Sequence, residues 1–272
     1  MGRRNAFLLI LAAGCGRAPS GDLNAKAVDR ITQSLLPPVR MANTPSPKYQ
    51  LADRMALYQV PGISIAVVDS GRIVWAQGFG LKEAGTADSV QPTTRFQAAS
   101  ISKPVAVTAM LRLAEEGKLN LDQDVNSYLT SWKVPENRHT RQHKVTLRRI
   151  VSHSAGLTVH GFPGYRSIDT LPSVPEILEG KKPANTGAVR VDTTPGSLWR
   201  YSGGGTTVMQ LILTDVTGEP FAALVKRLVL EPAGMTNSSY DQPLAAALVA
   251  SAAAAHERDG SVTPGKSHTY PE

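Results

Sequence analysis

With 272 residues, 42% of them hydrophobic and 19% charged, the chain can bury one or two cores and does not have the composition of a disordered segment. The net charge of +7 comes in part from NRHTRQHK (137–144) and LRRI (147–150). Neither stretch has interleaved aromatics or a nucleic-acid motif, so both read as a solvated basic face and no nucleic-acid partner is expected. The only cysteine, Cys15, rules out an intrachain disulfide.

In chain order, MGRRNAFLLILAAGCG pairs Arg3 and Arg4 with an apolar run from Ala6 to Ala13 that is too short to cross a bilayer. It reads as an export signal over residues 1–14. LAAGC resembles the cleavage box of bacterial lipoproteins, in which the cysteine, here Cys15, is lipidated and becomes the mature N-terminus. An ordinary signal peptide with an incidental cysteine is the alternative. The expected location is the periplasm or cell envelope, with a membrane contact through the lipid if Cys15 is modified.

Residues 15–50 read as a tether and an N-terminal helix. NAKAVDRITQSLL (24–36) has helical spacing and is stopped by Pro37-Pro38, and a second helical piece covers 49–58. ISIAVVD and RIVWAQGFG flank Ser70-Gly71 as a hairpin. From Ala99 a buried helix is expected to reach Gly117, and TLRRIVSHSAG (146–156) reads as a capped helix ended by Gly156. Residues 161–197 are rich in proline and glycine; two helices follow at 204–217 and 219–231, broken by Gly218 and Pro220. Sheet in front and helices behind make a mixed α/β chain rather than a doubly wound one.

The stretch FQAASISKPVAV (96–107) carries the chemistry. Positions i and i+3 share a helix face, so Ser100 and Lys103 point the same way. A serine at a helix start sits at the positive end of the dipole, beside N–H groups that can meet an oxyanion. A lysine withdrawn from water can take its proton. Taken alone, S-x-x-K is a weak pattern. About one hundred residues later, PGSLWRYSGGG (195–205) places Tyr201, Ser202 and Gly203 at a turn just before a helix.

Together these pieces resemble the serine β-lactamase and penicillin-binding-protein superfamily, nearest to class C-like β-lactamases, DD-peptidases and related esterases. FQAASISKP, LAEEGKLNLDQDV, LRRIVSHSAGL, PGSLWRYSGGG and LVLEPAGMTNSSY carry the resemblance in order. It implies a β-lactamase/transpeptidase-like fold, in which an antiparallel sheet flanked by helices is joined to a mainly helical subdomain, over residues 51–272. It implies Ser100 as the acyl-accepting nucleophile, Lys103 as the group that helps deprotonate it, and Tyr201 as the tyrosine of the proton relay. Ser202 and Gly203 fall at the substrate-binding element, where Gly203 replaces the family's asparagine and so lacks an amide to touch a substrate amide. Phe162 and Tyr165 are candidates for the pocket mouth.

Other residues weigh less. His153, in SHSAGL, reads as a structural helix-end histidine facing last-turn carbonyls. His139 and His143 have a spacing zinc can use but no third ligand nearby, so no metal and no cofactor is expected. No K-T-G or H-x-G strand follows residue 205, and PGKSH (264–268) has no strand run around it. The chain therefore reads as lacking the family's C-terminal strands, and the 272-residue form is expected to be a poor and marginally stable enzyme. The expected activity is acyl transfer from β-lactam, peptidoglycan-like peptide or ester substrates through Ser100. The alternatives are a small-ester esterase of the same fold and a catalytically silent envelope protein that binds such ligands.

Overall fold

The computed structural model describes residues 21–166 and 169–270. The export signal and Cys15 lie outside the described residues. The chain divides into two compact units, one of residues up to Val60 with Ala66–Ala76, the other of Pro61–Ile65 with Gln77 onward.

In the first unit, α1 (Gly21–Thr32) stops four residues before the expected Leu36. Leu35 is drawn instead into a two-way bridge with Tyr49, its N–H donating to Tyr49 O at 3.0 Å and its carbonyl accepting at 2.9 Å. α2 (Leu51–Leu57) carries Arg54, whose guanidinium lies over the rings of Tyr49 and Tyr58 at 4.5 and 4.7 Å. The hairpin, whose residues are divided between the units, forms as its sequence predicts: β1 (Gly62–Asp69) and β2 (Arg72–Gly80) pair around Ser70-Gly71, both at positive φ as a two-residue turn requires.

The second unit is mainly helical. A 3₁₀ turn (Ala99–Ile101) leads into α3 (Ser102–Glu115), which buries Ala106, Ala109, Met110 and Leu113. α6 (Gly203–Thr217) is the most buried helix, hiding everything from Gly203 to Met209 and Leu211–Leu213. Its Val208, Met209 and Ile212 join the α3 residues in one apolar core. Removing a fully buried aliphatic chain from such a core costs about 2–5 kcal/mol, so this contact carries much of the unit's stability. Asp215, near the end of α6, accepts from the backbone N–H groups of Thr130 and Ser131 at 2.7 and 3.2 Å and from the Ser131 hydroxyl. Burial raises its pKa, but those donors outweigh it and hold the carboxyl below its ordinary value.

α4 (Leu147–Val151) begins as expected, with Thr146 Oγ1 accepting from Arg149 N. It ends well before Gly156, because His153 adopts φ +55 and Ser154 N turns back to Arg149 O at 2.8 Å. The proline-rich stretch hides a helix, α5 (Val174–Glu179), started by a reciprocal capping box between Ser173 and Glu176. It also holds β3 (Tyr165–Arg166), which pairs antiparallel with β4 (His268–Thr269) in the register Tyr165↔Thr269. β4 is a short strand just where PGKSH showed no strand run. Beyond α6, Gly218 provides a left-handed cap, and α7 (Phe221–Val225) runs into a π-helical turn at Lys226–Leu230. α8 (Ala246–Val249) is a single turn.

Gly156 shows how tightly the segment after α4 is held. It sits at φ +70, and a Cβ there would lie 2.0 Å from Thr193 O. Gly156→Ala is expected to lose more than about 2 kcal/mol, because left-handed strain adds to a backbone clash that no rotamer relieves. Urea unfolding checks it: a variant within about 0.5 kcal/mol of the parent would show that the close approach does not persist in solution.

Candidate active site

The turn that opens α3 places two reactive groups. Ala99 is held at φ +45, an uncommon conformation for a residue with a Cβ, directly before Ser100. From there the helical course keeps i and i+3 on one side, and Lys103 Nζ donates to Ser100 Oγ at 3.1 Å. Ser100 is exposed, whereas Lys103 is only 8% exposed. A charged side chain this buried is unusual unless it is paired or used.

Tyr201 arrives from the segment that leads into α6. Its hydroxyl donates to the same Ser100 Oγ at 2.9 Å, and Lys103 Nζ stands 5.4 Å from the centroid of its ring. One serine oxygen is thus met by a lysine amine three residues on and a tyrosine hydroxyl 101 residues away along the chain.

The other sequence candidates bond to other partners. Ser202 is buried and caps α6: its Oγ accepts from Gly205 N and donates to Thr158 O, both at 2.9 Å. Gly203 is buried at the first position of α6, its N–H on His160 O at 3.1 Å. Phe162 is buried, and Tyr165 OH accepts from Asn185 N at 3.2 Å. Tyr165 borders a separate cavity of about 370 Å³ with Ile177, Phe221, Tyr240 and Tyr270; Ser100, Lys103 and Tyr201 do not line it. Tyr240, pushed up to about 12 by burial, donates from that wall to Ser102 O at 2.5 Å.

His153 is not the helix-end histidine its position predicts. Its ring packs 4.4 Å from the Tyr201 ring, tilted by 39°, and meets the Trp199 ring edge-on at 6.1 Å. Its Nδ1 accepts from Ser202 N at 3.4 Å. Burial, and secondarily the Lys103 charge, hold it below the ordinary histidine pKa. His160, unmarked by any motif, places Nδ1 2.6 Å from Tyr201 O. His139 Nδ1 instead pairs with Thr194 Oγ1 at 3.3 Å, and among the described residues no group of His, Cys, Asp and Glu could hold a metal.

A serine, a buried lysine three residues on and a distant tyrosine thus converge on one hydroxyl. Comparison with known proteins gives the family and the fold. The Beta-lactamase family matches residues 50–272, more than half of the chain, and the chain belongs to that family. The protein named PbpX of Bacillus subtilis (strain 168) is 30% identical over 175 residues, 64% of this chain and 40% of that protein. Protein flp of Staphylococcus aureus (strain MRSA252) is 26% identical over 183 residues, 67% of this chain and 35% of that protein. The chain thus spans a third to two fifths of the length of these relatives. The octameric penicillin-binding protein homologue from Pyrococcus abyssi superposes with a TM-score of 0.60 at 25% identity, covering 81% of this chain and 49% of that one. The β-lactamase/D-alanine carboxypeptidase from Yersinia pestis, at 21% identity, superposes with a TM-score of 0.61 over 80% of this chain and 62% of that one. The fold is that of the β-lactamase/transpeptidase group.

The geometry at Ser202 is testable by stability. Ser202→Ala removes the α6 cap and leaves Thr158 O without its donor, and is expected to cost about 1–2 kcal/mol. Thermal unfolding measures it; an unchanged midpoint would show that the hydroxyl does not cap α6.

Proposed function

We propose that Ser100 is an acyl-accepting nucleophile and that Lys103 and Tyr201 manage its proton. The observation that carries this reading is the double approach to Ser100 Oγ, from Lys103 Nζ at 3.1 Å and Tyr201 OH at 2.9 Å. When either partner is in its basic form, it takes the hydroxyl proton as Oγ bonds to the substrate's acyl carbon. The carbonyl electrons move onto oxygen at the positive end of α3 and return as the leaving group departs with a proton from the same relay. Water then repeats the sequence against the acyl-enzyme and frees Ser100. No cofactor enters this chemistry.

The substrates proposed are acyl compounds with an amide, β-lactam or ester group. The absence of a side chain at Gly203 favours esters, because no amide is offered there to a substrate's amide. The amino-terminal reading belongs to the same proposal: export, with Cys15 lipidated and the protein held at the cell envelope. Mass spectrometry of the mature N-terminus tests it, and an unmodified start away from Cys15 would end it.

Ser100→Ala is expected to abolish labelling by a fluorophosphonate and by a fluorescent penicillin, and to reduce turnover of a p-nitrophenyl ester by orders of magnitude. Lys103→Ala and Tyr201→Phe should each slow acylation strongly, and the double variant should lose far less than the product of the two, since they serve one proton. Labelling without turnover would identify a ligand-trapping envelope protein. Residual activity above about a tenth in Ser100→Ala would remove Ser100 from the reaction.

A further inference from the structure

The peptide unit joining Tyr201 to Ser202 is gripped at both ends by imidazole rings. Its carbonyl oxygen lies 2.6 Å from His160 Nδ1, and its N–H points at His153 Nδ1 at 3.4 Å. A carbonyl can only accept and an N–H can only donate, so the two contacts fix opposite proton positions. His160 carries its proton on Nδ1, and neutral His153 carries its proton on Nε2, leaving Nδ1 bare. The His153 ring also lies along the Tyr201 ring at 4.4 Å, with Trp199 against its edge.

We propose that His153 and His160 form a clamp that positions the Tyr201 hydroxyl on Ser100, and that the clamp works only while His153 is neutral. This rests on the acyl-transfer reading of Ser100, Lys103 and Tyr201. Protonating His153 puts a hydrogen on Nδ1 against the Ser202 N–H, two donors face to face, and adds a second positive charge beside Lys103. The groups facing His153 bear this out. Lys103, on α3, is the cation whose field reaches it, and the Tyr201 phenol lies alongside. Arg149, on α4 just before it, is turned to Lys144 O, and Arg200, on the segment before Tyr201, is bound to Asp192. No described carboxylate is bonded to the ring to stabilise its charge. Protonating His160 leaves its Nδ1–H, and its half of the clamp, in place.

The sign follows. His153 titrates below the ordinary value, so it is neutral at neutral pH and gains its proton as the pH falls through that lowered value. The clamp opens on the acid side.

Two measurements on the full chain test this, one of them independent of activity. Nitrogen-15 histidine NMR at neutral pH, assigned with His153→Gln and His160→Gln, should show opposite tautomers, Nε2–H for His153 and Nδ1–H for His160. An Nδ1–H tautomer at His153 would overturn the clamp whatever the protein catalyses. The second measurement is the rate of fluorophosphonate labelling at Ser100 between about pH 5 and 8. The parent should lose rate on the acid side, while His153→Gln, which keeps an acceptor but cannot ionise, should retain the neutral-pH rate within about tenfold and lose that acid limb. His160→Gln, whose amide still donates, should keep the limb. An acid limb unchanged in His153→Gln would reduce His153 to a packing residue and overturn the proposal. Absence of any label at Ser100, with the predicted tautomers present, would instead strike the acyl-transfer reading and leave the clamp standing.

Discussion

A Cβ on Gly204 would lie 2.8 Å from Thr158 O and 2.8 Å from Val189 Cγ2, so the first turn of α6 can sit where it does only with glycine there. That close approach lets Gly203 and Gly204 donate to the carbonyls of His160 and Val159, at 3.1 and 2.9 Å. It also brings Ser202 Oγ onto Thr158 O. Tyr201 immediately precedes this seam and inherits its position. The hydrogen bond from Tyr201 to Ser100 therefore depends on a backbone-to-backbone contact made by the residues that follow Tyr201.

The seam has a cost. Val159, a β-branched residue, is held at φ +62, and Ala99 and His153 are also left-handed without being glycine. Each such residue carries strain of order 1–3 kcal/mol; Ala99 directly precedes Ser100, the His153 ring packs on Tyr201 and the Val159 carbonyl accepts from Gly204 N. The buried contact of α3 with α6 is what such strain is balanced against. Rigid placement of two donors on one serine oxygen is the return.

The elements that periodicity and turn chemistry determine locally were legible in the sequence: the Ser70-Gly71 hairpin, α3, and the two helices split at Gly218. α5 was hidden because proline and glycine dominate its neighbourhood, although Ser173 and Glu176 spelled its capping box. α1 was overextended because its last two leucines looked helical, while Leu35 pairs with Tyr49. Within the site, Ser100, Lys103 and Tyr201 could be picked out because fixed spacing and a family resemblance mark them. The capping role of Ser202 could not be read from its motif, since its hydroxyl's second partner, Thr158 O, lies 44 residues away along the chain. His153 and His160 were misread or unmarked for the same reason. Their partners are the two ends of a peptide unit some forty or more residues away, and nothing in local pattern encodes that.

The hydroxyl of Tyr240 on Ser102 O closes a loop of 138 residues, and that of Tyr201 on Ser100 closes one of 101. Contacts so distant along the chain must overcome loop-closure entropy before they contribute anything, and they form after helices that need only neighbouring residues. The turn at Ser100 is therefore made early in sequence but secured late in folding. A nascent or partly opened chain can hold α3 and α6 as helices, with Lys103 beside Ser100, and still lack the contact from Tyr201. The Ser100 hydroxyl meets both of its partners only once the molecule around it has closed.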